Sequence, residues 1–90
     1  MATVIIIAKL MPKSLSTDLE KIKSSAKHSL EMEGARNISF EERLVAFGLK
    51  ALLVKFDFPE EKGTDIVESL LSQIPEVSSV TIEDYRRALG

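Results

Sequence analysis

The hydrophobic pattern predicts an α+β domain, a two-layer sandwich of one four-stranded antiparallel sheet with two helices on one face. Three observations carry this. Short runs rich in Val, Ile, Leu and Phe recur at 3–11, 49–58 and 77–82. Two intervening segments, near 18–32 and 64–74, repeat apolar residues every three or four positions. A weaker alternating segment at 37–43 completes the order β-α-β-β-α-β.

The first strand, Thr3 to Met11, is β-branched and aliphatic, and Pro12 closes it. Its apolar residues stand at both parities, as in a central strand with little exposure on either face. The first helix begins where Thr17 and Glu20 match a capping box, in which each side chain satisfies a free backbone N–H. Leu19, Ile22, Ala26 and Leu30 form one stripe, and Gly34 supplies the stop. In the second strand, Asn37 to Arg43, Ile38 and Phe40 share a parity, which suits a half-buried edge. A short connection is expected from Leu44 to Phe47. The third strand, Leu49 to Phe58, sets Leu52, Val54, Phe56 and Phe58 on one face, and Pro59 to Gly63 is a turn. Thr64 and Asp65 open the second helix as cap and dipole-favoured acid. Val67, Leu70, Leu71 and Ile74 are its apolar stripe, and Pro75 ends it. In the last strand, Val77 to Ile82, Val80 and Ile82 point inward, and Glu83 to Gly90 is a tail.

This is the ferredoxin-like split β-α-β pattern, read as a single domain over 1–90. Right-handed crossovers put the first and third strands in the centre, with the fourth and second outside. Taking the fourth strand as antiparallel to both central strands gives a geometric expectation. Arg86 and Arg87 then share an edge with Phe47, and Lys62 lies at the opposite edge, so one partner could touch Phe47 and the arginines together.

The composition narrows the function classes. With 44% apolar and 29% charged residues, the chain is globular. A net charge of −2 argues against a polyanion-binding surface, although a local basic patch remains open. The absence of cysteine removes disulfides, thiol catalysis and thiolate metal sites, and fits a reducing, cytoplasmic setting. The apolar start lacks a basic leader region and meets Lys9 and Pro12. No stretch reaches the roughly 20 apolar residues of a membrane span. His28 is the lone histidine and reads as a surface helical residue, so no metal site is expected. No serine has a nucleophile-elbow sequence, and no glycine-rich loop would cradle a phosphate, so neither enzyme chemistry, a cofactor nor direct nucleotide binding is expected. The carboxylate pairs Glu31/Glu33, Glu41/Glu42 and Glu60/Glu61 read as solvated charge. From the residues alone, Phe47 beside Gly48 reads as a core aromatic entering the third strand. Arg86 and Arg87 divide evenly between a contact and a solvated tail, and Lys62 is turn polarity. An RNA- or ribosome-binding module would use aromatics on the open sheet face; aromatics are only 6% and the first strand has none. A ligand-sensing domain that dimerises through its sheet is a third class.

The segment Val45-Ala46-Phe47-Gly48-Leu49-Lys50-Ala51-Leu52 resembles the (V/I)-x-(F/Y)-G-(I/L)-K-x-L segment of the guanine-exchange domain of elongation factor 1-beta. Glu31 to Gly34, Phe58 to Lys62 and Val77 to Ile82 are similar to further stretches of that family, in the same order, so the resemblance spans essentially the whole chain. The 90-residue length resembles the archaeal form; eukaryotic members carry long additional regions. The resemblance implies a ferredoxin-like fold and release of GDP from elongation factor 1-alpha, so that GTP can bind. It implies that Phe47 matches an aromatic docking on the second domain of that GTPase, flanked by Gly48 and Lys50. It also implies that Arg87, with Arg86 adjacent, falls on a C-terminal lysine that reaches the Mg²⁺ and phosphate region. Arginine there departs from the family pattern, and Ala88, Leu89 and Gly90 still follow it.

Overall fold

The computed structural model describes residues 2–88. Met1, Leu89 and Gly90, the last two counted above beyond Arg87, lie outside the described residues. The elements run β1 (Thr3–Pro12), α1 (Leu19–Met32), β2 (Arg36–Ala46), β3 (Leu49–Pro59), a 3₁₀ turn (Glu60–Lys62), α2 (Gly63–Ser72) and β4 (Val77–Arg87). The sheet order is β2-β3-β1-β4 with every neighbouring pair antiparallel. This is the predicted ferredoxin-like sandwich.

One face of the sheet builds the core. Val4, Ile6, Ala8 and Leu10 of β1 and Leu52, Val54, Phe56 and Phe58 of β3 are buried against Ile22, Ala26 and Leu30 of α1 and Val67 and Leu71 of α2. The α1 and β3 residues are the stripes that the periodicity singled out; in α2, Ile66 rather than Leu70 packs beside Val67, Leu71 and Ile74. Phe56 and Phe58 meet edge to face, with ring centroids 5.6 Å apart, a favoured aromatic geometry. The other face carries no helical layer, so Ile5 and Ile7 of the central strand are half-buried rather than enclosed. Leu53 is nonetheless only 5% exposed there. Above the two central strands, Glu83 on β4 accepts Arg43 of β2 at 3.5 Å and Lys9 of β1 at 3.7 Å. Each such pair contributes little as a charge interaction. The long apolar stems of Arg43 and Lys9 instead shield the aliphatic floor.

The helix ends depart from the prediction in part. Asp18, not Thr17, caps α1: its carboxylate accepts the Glu20 N–H at 3.0 Å. Thr17 Oγ1 accepts the Ser14 N–H at 3.2 Å and so orders the preceding loop. The stop at Gly34 is a Schellman motif. The Ala35 N–H returns to the Leu30 carbonyl at 2.9 Å and the Gly34 N–H to Glu31 at 3.0 Å, with Gly34 at φ 96°. A Cβ at Gly34 would find its nearest neighbour, a Pro59 ring carbon, at an ordinary 3.5 Å, so the cost of a side chain there is conformational. Gly34→Ala should therefore destabilise the domain by about 1 kcal/mol. Circular-dichroism melting should register this as a fall of roughly 4–8 °C. The second helix has no side-chain cap, which corrects the assignment to Thr64. Gly63, at φ 75°, turns the chain from the 3₁₀ segment into α2, and Thr64 falls inside the helix.

Two strands run well beyond their predicted ends. β2 continues through Leu44 to Ala46, because no proline or glycine interrupts it before Gly48. β4 takes in what read as a tail: Arg87 pairs with Val4, and the Ala88 N–H reaches the Thr3 carbonyl at 2.9 Å. The polar composition of Glu83–Arg87 hid this, but an edge strand needs ladder bonds rather than burial, and β1 offers a free edge.

The expected position of the arginines is overturned. The β2–β3 hairpin reverses β3 relative to β1, and the crossover through α2 leaves β4 parallel to β3 and antiparallel only to β1. Hence β4 ends where β3 ends. Arg86 and Arg87 lie at the Pro59 end, with Lys62, and Phe47 lies at the other end of the sheet.

Candidate functional site

At one end of the molecule, Phe47 and Gly48 are the whole loop of a two-residue hairpin. Both have positive φ, 51° and 80°. That is the type I′ geometry, whose twist matches the flanking strands and which favours Asn-Gly or Gly-Gly. A phenylalanine held in the left-handed region is strained by on the order of 1–3 kcal/mol. It gains no burial in return, since Phe47 is 99% exposed. The core assignment for Phe47 is therefore wrong. An aromatic that is strained and fully presented to solvent contributes nothing to this fold and is available for a partner.

Lys50 stands on the helix side of the same hairpin, opposite Leu44, and reaches Glu42 at 3.7 Å. Glu42 also receives Lys23 of α1 at 3.2 Å. Hydrogen bonds from Lys23 to Glu20 and then Glu42 push the Lys23 pKa upward, so Lys23 stays cationic through neutral pH. The structure thus gathers Phe47, Gly48 and Lys50. It adds exposed apolar residues that the sequence did not single out: Leu44 and Val45 beside the turn, and Leu15 in the β1–α1 loop. Strand periodicity could not flag them, because Leu44 and Val45 looked like a connection and Leu15 is a lone apolar residue in a polar loop.

The other end carries Arg86, Arg87 and Lys62, each tethered to a carboxylate. Strand alternation places Arg86 and Arg87 on opposite faces of β4. Arg87 is opposite Val4 on the helix-covered face, and its guanidinium donates to Glu60 Oε1 at 2.5 Å. That hydrogen bond, reinforced by the charge of Glu60, raises the Arg87 pKa above an already high value, so the group is always cationic. Arg86 is opposite Ile5 on the open face and donates from Nε to Asp84 at 2.8 Å. Lys62 bonds Glu33 at 3.1 Å, which ties the 3₁₀ turn to the end of α1. The ten residue steps of β3 separate the two ends by roughly 33 Å. The longest dimension of the molecule is 41 Å.

Among the described residues, no aromatic side chain lies on the open sheet face. Phe40, Phe56 and Phe58 face the helices, Tyr85 is opposite Ile6 on that same side, and Phe47 is in the turn. This removes the stacking platform that an RNA-binding sheet would use. Among the same residues, no helix is long and apolar enough to cross a membrane.

Fold and surface together define a small α+β binding domain whose distinctive side chains are presented at its two ends. Residues 5–88 match the EF-1 guanine nucleotide exchange domain, and the chain belongs to that family. It is a guanine nucleotide exchange domain of the elongation factor 1 type. An elongation factor 1-beta from Desulfurococcus amylolyticus is 36% identical over 97% of this chain and 98% of its own length. Another from Metallosphaera sedula is 39% identical, covering 97% of each. One from Methanosphaera stadtmanae is 36% identical over 99% of this chain and all of its own. Among solved structures, the C-terminal domain of LarC, a cyclometallase involved in synthesis of the cofactor of lactate racemase, superposes with a TM-score of 0.68. That match covers 99% of this chain and 58% of the other at 12% identity, and so concerns the fold alone.

Proposed function

We propose that residues 1–90 form a single domain that promotes GDP release and GTP reloading on elongation factor 1-alpha in the cytoplasm, by binding and without covalent chemistry of its own. The observation that carries this is the separation of an exposed, strained aromatic turn from the end that bears Arg86 and Arg87 by most of the length of the molecule. One end docks and the other acts. Phe47, with Gly48 and Lys50, engages the second domain of the GTPase as an apolar anchor. Arg87 reaches the Mg²⁺ and phosphate region of the nucleotide domain, with Arg86 on the neighbouring face.

The physical logic follows from charge. Bound Mg²⁺ is the largest local charge in a nucleotide site and neutralises the phosphates. A guanidinium brought beside it repels the metal and competes for its anionic ligands, which weakens GDP binding. Arg87 must first leave Glu60, and exchanging one anionic partner for another makes that step inexpensive. Linkage requires that the factor bind the nucleotide-free GTPase more tightly than the GDP form, by the factor with which it weakens GDP.

Photo-crosslinking tests the two-ended arrangement. A photoreactive phenylalanine analogue at position 47 should label the second domain of elongation factor 1-alpha, and one at position 88 its nucleotide domain. Labelling of a single domain from both positions would contradict it.

A further inference from the structure

We infer that Leu15 of the β1–α1 loop is a second apolar contact for the GTPase, forming one docking surface with the Phe47 turn; this rests on the exchange function proposed above. Leu15 is 69% exposed in a loop whose other members, Lys13, Ser14, Ser16, Thr17 and Asp18, are polar. A leucine so placed adds nothing to the core.

The loop that presents it is fixed. The Lys13 N–H reaches the Glu76 carbonyl at 2.9 Å, the Thr17 N–H reaches the Ser14 carbonyl at 3.3 Å, and the Ser14 N–H is held by Thr17 Oγ1 at 3.2 Å. Thr17 Oγ1 in turn donates to Glu76 Oε2 at 3.4 Å. A rigid loop loses little freedom on binding.

Leu15 also abuts the hairpin turn. Its Cδ2 lies 3.7 Å from the point where a Cβ on Gly48 would stand. Six large apolar side chains are exposed among the described residues, and four of them, Leu15, Leu44, Val45 and Phe47, cluster at this end. Such clustering, unlike scattered exposure, marks an interaction surface. The cleft between loop and hairpin is bordered by Asp18, Glu20, Glu42 and Lys50, and Lys23 pairs with both glutamates. With those glutamates and lysines paired within the chain, the feature left for a partner is apolar, and it is continuous with the Phe47 turn.

The test measures GDP release from elongation factor 1-alpha against concentration of the full chain, which separates the half-saturating concentration from the maximal rate. Leu15→Ala should raise the half-saturating concentration about tenfold, from the loss of one leucine's buried apolar area. The maximal rate should stay within about twofold, because docking precedes the act at the other end. Leu15→Met should restore most of the affinity, since it conserves apolar volume. Combined with Phe47→Ala, the second loss should be smaller than the first, as for residues sharing one contact surface. An unchanged half-saturating concentration for Leu15→Ala, alongside weakened binding by Phe47→Ala, would overturn the inference and leave the exchange function standing. A reduced maximal rate at unchanged affinity would also overturn it. Failure of the unaltered protein to release GDP would instead remove the exchange function, and this inference with it.

Discussion

Phe47→Ala should cut productive binding to elongation factor 1-alpha by roughly thirtyfold while leaving the fold intact. An aromatic anchor that fills a pocket on a partner is worth about 2 kcal/mol on truncation, and that energy converts to this factor. The side chain is 99% exposed and touches no core residue, so its removal opens no cavity. The loss should fall on the half-saturating concentration of the exchange reaction. A companion change separates anchor from turn. Phe47→Asn keeps the left-handed residue but uses one that tolerates φ 51°, and Asn-Gly is a favoured type I′ pair. It should raise stability by about 1 kcal/mol by relieving backbone strain, and abolish the docking contact as alanine does. A variant that is more stable and less active is the signature of a residue retained for a partner. Equal losses of stability and activity would mean that Phe47 supports the hairpin instead.

Arg87→Ala should slow the maximal rate of GDP release roughly thirtyfold with little change in half-saturating concentration, the size of one charge-assisted contact made when the metal site is disrupted. Arg86→Ala should stay within about threefold, because Arg86 sits on the opposite face of β4. Arg87→Lys should recover much of the loss, since it keeps the cation. Because Arg87 is always charged, its contribution should be flat across the accessible pH range. Stopped-flow measurement at saturating concentrations of each variant checks these outcomes. A larger loss for Arg86→Ala than for Arg87→Ala would reassign the acting residue.

The sequence made the layer architecture legible because burial and periodicity coincide. Every apolar position of the α1 and β3 stripes faces the core, and the central place of β1 followed from its apolar residues at both parities. What failed to read was whatever burial does not write. The outer half of β4 is polar because one of its edges faces solvent, so Arg86 and Arg87 looked like a tail. The capping role passed from Thr17 to Asp18 because two adjacent residues were both chemically competent and only the backbone angles choose between them. The Phe47 turn was hidden for a sharper reason. Local preference favours asparagine or glycine there, so a phenylalanine pointed toward a strand entrance and a core position. Fold preference disfavours phenylalanine at that residue, the kind of mismatch expected where a side chain serves a partner. The family resemblance supplied its assignment, and the left-handed backbone supplies the physical support.

The most direct test of the central claim is release of fluorescent GDP from purified elongation factor 1-alpha of the same organism, with and without this protein. Strong acceleration is expected, falling roughly thirtyfold with Arg87→Ala. Spontaneous release that is unchanged by a folded protein, in the presence of an active GTPase, would contradict it.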